Sequence, residues 1–284
     1  MKFLVFGASG MAGHTISLYL KEQGHDVMGF GRNEVKHCKS IVGDARDTER
    51  IRGIIREGNF DSVINCTGIL NQYAEQNKEL ATFLNAYFPH FLADLTSGTD
   101  TQVIHMSTDC VFSGKRGGYI EGDLRDGETF YDRSKALGEL EDDKNITMRN
   151  SIVGPDMNPN GIGLLNWFMK QRGTVNGFNK AMWTGLTTLQ LAKVMEVAAK
   201  EKAHGLYNMV YKEAISKYDL LKLFNHYMRD DALIILQSET LVADKSLKRT
   251  RFEFGYIIPD YETMVAEMAV WMKAHKAMYR HYGL

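Results

Sequence analysis

The sequence predicts an α/β fold, a doubly wound parallel sheet with helices on both faces, followed by a smaller C-terminal lobe. Three observations predict it. Short apolar runs alternate with helical patterns from the amino terminus, the order that builds a parallel sheet. The first run ends in a glycine-rich turn, Gly7-Ala8-Ser9-Gly10-Met11-Ala12-Gly13, which leads straight into an amphipathic segment. A chain of 284 residues is long enough for one large α/β unit with a small appended lobe.

Residues 2–6 (KFLVF) form a short apolar run that reads as a buried parallel strand. Residues 11–23 have helical spacing, with Ala12, Ile16 and Leu20 on one face. Further strands are expected at 25–30, 61–66 and 102–106, and a third short apolar run ends before Asp44. Helices are expected at 48–57 and 78–96. After Ser151 the order blurs. Residues 154–163 are rich in Pro, Asn and Gly and read as a loop. Helical patterns recur at 164–171, 188–202, 218–228 and 261–276, and residues 233–236 read as a strand or an extended loop. We place a boundary near residue 150: residues 1–150 form a nucleotide-binding domain of Rossmann type. Residues 151–284 form mainly a substrate-binding lobe, with some helices packing back on the sheet.

Composition narrows the function classes. An apolar share of 44% and a charged share of 24% are those of an ordinary globular protein. A formal net charge of -1 gives no basic field for nucleic acid or a membrane surface. The three cysteines, Cys38, Cys66 and Cys110, match no metal-ligand spacing and fit a reducing cytoplasm. The nine histidines show no metal spacing either, so no metal site is expected. No signal peptide or membrane span is read.

The glycine turn is the first chemical motif. Gly7, Gly10 and Gly13 let the backbone turn tightly and approach a pyrophosphate, and the N–H groups at the start of the next helix then face the phosphates. Ser9 and Met11 belong to the same cofactor-binding turn. The second strand ends in Gly31-Arg32-Asn33, without the carboxylate that holds the ribose hydroxyls of NAD. Arg32 suits a 2′-phosphate through charge-assisted hydrogen bonds, so NADPH is expected, with NADH as the alternative. Asp44 and Ala45 would border the adenine, and Cys66, Thr67 and Gly68 would leave room for the cofactor.

Tyr131 and Lys135 lie four residues apart, on one face of a helix. Such a tyrosine can deliver a proton to a carbonyl oxygen as hydride arrives at carbon. Its ordinary pKa near ~10 is too high for neutral pH, and a nearby ammonium lowers it. Ser107-Thr108-Asp109 stands at the end of the strand over 102–106, where open α/β sheets bind ligands. Thr108 or Ser107 would donate to the substrate carbonyl beside Tyr131.

With these motifs in order, the sequence resembles the dTDP-4-dehydrorhamnose reductase branch of the extended short-chain dehydrogenases/reductases. The resemblance rests on GASGMAG at 7–13, STDCVFSG at 107–114 and YDRSKALGE at 131–139. FLNA around Asn85, Gly118-Tyr119-Ile120-Glu121, and the stretch 184–193 support it. It implies an oxidoreductase acting on a nucleotide-linked 4-keto-6-deoxy sugar, in polysaccharide biosynthesis, with Thr108, Tyr131 and Lys135 catalytic. Tyr131 and Lys135 would also contact the cofactor, and Asn85 would position the backbone beside it. Substrate contacts would come from Ser107, Thr108, Asp109, Val111, Phe112, Ile152 and Trp183. A homodimer is the assembly it suggests.

Two departures bear on the sugar. Ile152 stands where such reductases carry a tryptophan, and Gln72 stands where they carry an acid. The competing readings are an epimerase or dehydratase and a non-catalytic cofactor-binding subunit. Dehydratases of this type carry T-D-E, and Cys110 replaces that glutamate here. Loss of the tyrosine or lysine would mark a regulatory subunit, and both are present.

Overall fold

A computed structural model describes residues 1–283. Seven strands form one parallel sheet: β1 Lys2–Phe6, β2 Asp26–Gly31, β3 Lys39–Val42, β4 Ser62–Asn65, β5 Gln102–Ser107, β6 Ile146–Arg149 and β7 Gly205–Asn208. Their order is β7-β6-β5-β4-β1-β2-β3, so the chain reverses its direction of winding between β1 and β4. Ligands of such sheets bind beyond the carboxyl ends of the strands at that reversal.

Strand β1 shows why the sheet is buried on both faces. Phe3 and Val5 point into one core, shared with Ile16 and Leu20 of the helix Met11–Glu22, with Thr188–Glu201 and with Tyr261–Ala274. Leu4 and Phe6 point into a second core, with Ile51 and Ile55 of Thr48–Gly58 and Phe88, Phe91 and Leu92 of Phe88–Leu95. Period-two alternation of wholly apolar residues requires both layers. Of the helices expected after residue 151, Thr188–Glu201 and Tyr261–Ala274 thus pack back on this side of the sheet, and β7 joins it as well. That strand was not read from the sequence. The remaining strands are short, such as Ser151–Val153 paired with Gly185–Thr187, and Ile234–Ser238 paired with Thr174–Phe178. Residues 154–163 are irregular, as expected.

The segment expected as one helix at 78–96 is interrupted. Lys78–Ala81 passes into a π-helical stretch, Thr82–Tyr87, before Phe88–Leu95 resumes the α pattern. Pro89 supplies a reason. It has no N–H to give the carbonyl of Asn85 four residues back, so the helical ladder is broken there. The chain's end returns to the first helix: His14 Nδ1 lies 2.9 Å from the Gly10 carbonyl oxygen and Nε2 lies 2.9 Å from the Tyr279 hydroxyl. Among the described residues no helix is long and apolar enough to cross a membrane.

Candidate active site

The glycine turn links β1 to the helix Met11–Glu22. Gly7 holds φ at +75°, a conformation that favours glycine. A Cβ on Gly13 would come within 2.1 Å of the Gly7 carbonyl oxygen, so only glycine lets the helix seat this close to the turn. Gly10 caps that helix without a side chain, and no acidic residue sits in its first turn. The helix N-terminus is therefore open to a pyrophosphate, and the turn fits the expected dinucleotide. Arg32 is exposed just beyond β2. Asp44 is held by Arg46, which donates to it at 2.7 and 3.1 Å, and this pairing holds its carboxyl down at about 2. Ala45 is buried in the second core.

Thr108, Tyr131 and Lys135 come together at the carboxyl end of β5. Thr108 leaves the strand and caps the 3-10 turn Asp109–Val111, its hydroxyl accepting from the Cys110 N–H at 3.2 Å and donating to Asp109 Oδ1 at 3.1 Å. Tyr131 and Lys135 lie in the helix Phe130–Leu137, which Thr129 and Asp132 start with a reciprocal capping box. Burial pushes the Tyr131 phenol up, Cys110 adds to that, and the adjacent Thr108 hydroxyl opposes it. Lys135 Nζ donates to the Met106 carbonyl at 2.6 Å and lies 3.5 Å from His105 Nε2. Burial pulls Lys135 down to about 8 against the pull of Glu139. At the phenol burial is the largest influence, and Lys135 Nζ is turned to the Met106 carbonyl.

Asn85 sits behind the site rather than on its face. Fully buried in the π-helical stretch, it accepts from the Ile69 N–H at 2.9 Å and donates to the Ile69 carbonyl at 3.0 Å and to Ser134 Oγ at 3.1 Å. It clamps the Cys66-Thr67-Gly68 loop to the helix that carries Tyr131 and Lys135. Ser107 is likewise committed. Its hydroxyl donates to Glu139 Oε1 at 2.5 Å, and Glu139 in turn takes two bonds from the buried Arg149, at 2.9 and 2.7 Å. That leaves Thr108 as the hydroxyl next to Tyr131.

Three residues expected to touch the substrate have buried side chains. Val111 and Phe112 are 0% exposed, and Phe112 stacks on Tyr119 at 4.3 Å with the Arg149 guanidinium over its ring. Side chains without exposed surface have none to offer a ligand. Trp183 packs against Tyr261 and over Gly185, where a Cβ would meet the indole at 2.4 Å. It fills the core instead of presenting a stacking face. Ile152 is half-buried against the same core, and Asp109 is buried, with burial raising its carboxyl pKa.

Sequence reasoning missed Glu139, Asn65, His105 and Lys245 as parts of the site. His105 left a trace, since it is polar inside the apolar run of β5. Lys245 left none. Its Nζ lies 3.8 Å from Asp132 Oδ2, on an irregular segment far along the chain, and its charge favours ionised Asp109. Among the described residues no cluster of three or more His, Cys, Asp or Glu is arranged to hold a metal ion.

The Haloferax volcanii protein named probable low-salt glycan biosynthesis reductase Agl14 is 38% identical over 49% of this chain and 48% of its own length. The chain thus spans about half the length of the curated relatives it matches first. The dTDP-4-dehydrorhamnose reductase of Salmonella typhimurium is 26% identical over 96% of this chain and 98% of its own. The solved dTDP-4-dehydrorhamnose reductase of Bacillus anthracis, a complex with NADP, superposes with a TM-score of 0.79 at 18% identity, over 95% of this chain and 99% of that one, and so shares the fold. The model of the RmlD substrate binding domain matches residues 1–245, a stretch that contains the glycine turn and the helix of Tyr131 and Lys135. This chain belongs to the family of the RmlD substrate binding domain.

Proposed function

We propose that this protein is a cytoplasmic, NADPH-dependent reductase of the 4-keto group of a nucleotide-linked 6-deoxy sugar, serving polysaccharide precursor synthesis. One observation carries the reading. Thr108, Tyr131 and Lys135 meet at the carboxyl end of β5, beside a glycine turn built for a dinucleotide. The relatives named as reductases, and the solved one bound to NADP, support it.

When bound, the nicotinamide supplies the hydride that reduces the carbonyl carbon. Tyr131 gives its proton to the carbonyl oxygen, so ketone, hydride and proton become a secondary alcohol. A phenol kept neutral by burial is in the form that can donate. Thr108 turns its hydroxyl from Asp109 to the same oxygen. Lys135 would hold the nicotinamide ribose, and Arg32 would hold the 2′-phosphate. Cys110 cannot serve as a dehydratase base, because burial pushes its thiol up to about 12 and keeps it protonated. A homodimer is the assembly to check by light scattering.

A second reading has one observation behind it. The methionine adenosyltransferase 2 subunit beta of Danio rerio is 28% identical over 49% of this chain and 43% of its own. A cofactor-binding subunit would use the glycine turn without turnover. The test is NADPH oxidation in the presence of 4-keto-6-deoxy sugars carried on dTDP, UDP or GDP. Consumption with one of them supports the reductase. Tight NADPH binding without reduction of any of them overturns it in favour of the subunit.

A further inference from the structure

His105 lies in β5, wholly buried, between Asn65 at the end of β4 and Lys135. Both ring nitrogens have partners: Nδ1 is 3.2 Å from Asn65 Nδ2, and Nε2 is 3.5 Å from Lys135 Nζ. The neighbours determine which nitrogen carries the proton. The Thr67 backbone N–H can only donate, and it lies 3.1 Å from Asn65 Oδ1. The Thr67 hydroxyl donates to the same oxygen at 2.5 Å. The Asn65 amide is therefore oriented with its oxygen toward Thr67 and its nitrogen toward His105. Asn65 then donates to Nδ1, which must be unprotonated. Burial holds His105 neutral, far below its ordinary pKa. A neutral ring with a bare Nδ1 carries its proton on Nε2, aimed at Lys135.

An N–H aimed at an ammonium sets donor against donor. Aimed at a neutral amine, it meets a lone pair and makes a hydrogen bond, while the amine still donates to Met106 at 2.6 Å. Two other groups face Lys135, and both favour its charge. Glu139 is the stronger, but it is already shared among Arg149, Ser107 and Arg125. Cys66 is a thiol pushed up to about 12 by burial, hence uncharged at neutral pH.

We propose that Asn65 and His105 are positioning residues for Lys135: Asn65 locks His105 with its proton on Nε2, and that N–H stabilises Lys135 as the neutral amine. Lys135 is then a group that gives up and retakes a proton near neutrality, and its place in the catalytic set rests on the reductase reading. The lock itself rests on the hydrogen-bond geometry alone.

Two NMR measurements on the full chain test the lock without any substrate. Long-range proton–nitrogen spectra read the His105 tautomer, and lysine 13Cε spectra, assigned with Lys135→Met, read the Lys135 titration midpoint. His105 should show a protonated Nε2. His105→Phe, or His105→Leu should the first not fold, removes the opposing N–H and should raise the Lys135 midpoint by about one pH unit. His105→Gln, whose amide returns an N–H near the same place, should hold the midpoint close to that of the parent. A protonated Nδ1 in the parent overturns the proposal. So does a Lys135 midpoint that stays fixed when the ring is removed. If the lock holds and no sugar nucleotide is reduced, the reductase reading alone falls.

Discussion

Tyr131 and Lys135 stand one helical turn apart, and burial moves them in opposite directions: the phenol up, the ammonium down. In both cases the neutral form gains. Tyr131→Phe removes the proton donor and should lower kcat by about 10²–10⁴-fold on a confirmed substrate, with NADPH binding retained. Steady-state turnover with a separate binding titration checks this. Arg32→Ala should raise the KM for NADPH and leave that for NADH unchanged, which kinetics with both cofactors would show. At this scale the sequence was legible where spacing fixes geometry. Gly7 to Gly13, Thr108, Tyr131 and Lys135 all lie where their motifs put them. It was not legible where one must know which way a side chain faces. Phe112 and Trp183 are large rings in motif-bearing stretches, and only packing sends them inward.

Among the elements, the π-helical stretch Thr82–Tyr87 governs how closely the Tyr131 helix approaches. Pro89 leaves the Asn85 carbonyl without its helical donor, and Gly138, at the end of Phe130–Leu137, sits against that oxygen. A Cβ on Gly138 would stand 1.9 Å from it, against rigid backbone. Gly138→Ala should therefore cost about 1–3 kcal/mol of stability. It should also lower kcat by tilting Tyr131 and Lys135 away from Thr108. Thermal unfolding and turnover measured on one preparation separate the two effects. The interruption was unreadable because the stretch keeps helical spacing, with Pro89 its only sign. Strand β7 was unreadable for another reason: Gly-Leu-Tyr-Asn is four residues long and has no period to detect.

Across the whole molecule, His14 ties the glycine turn to the end of the chain through Gly10 and Tyr279. Burial moves its pKa from 6.5 down to about 4. Because the folded value lies below the unfolded one, the unfolded chain takes up the proton first as pH falls. The stability from neutral His14 is fully present above 6.5 and is lost as pH drops through the folded value near 4. That loss amounts to about 3 kcal/mol. Denaturant unfolding across this window should show the decline, and His14→Gln should flatten it.

The position of β7 also bears on how the polypeptide comes off the ribosome. This strand pairs with β6, the edge of the sheet as far as residue 150 builds it. Until Gly205–Asn208 has emerged, a nascent chain carries in β6 a strand with unpaired backbone groups along one side, a template for pairing with another chain. The helices Thr188–Glu201 and Tyr261–Ala274, which cover one face, likewise arrive long after the dinucleotide turn they support. A ribosome stalled after β6 has emerged should therefore hold an aggregation-prone nascent chain, while one stalled past the last helix should hold a chain whose sheet is complete. Protease protection and sedimentation of such stalled chains would show at what length the sheet becomes safe.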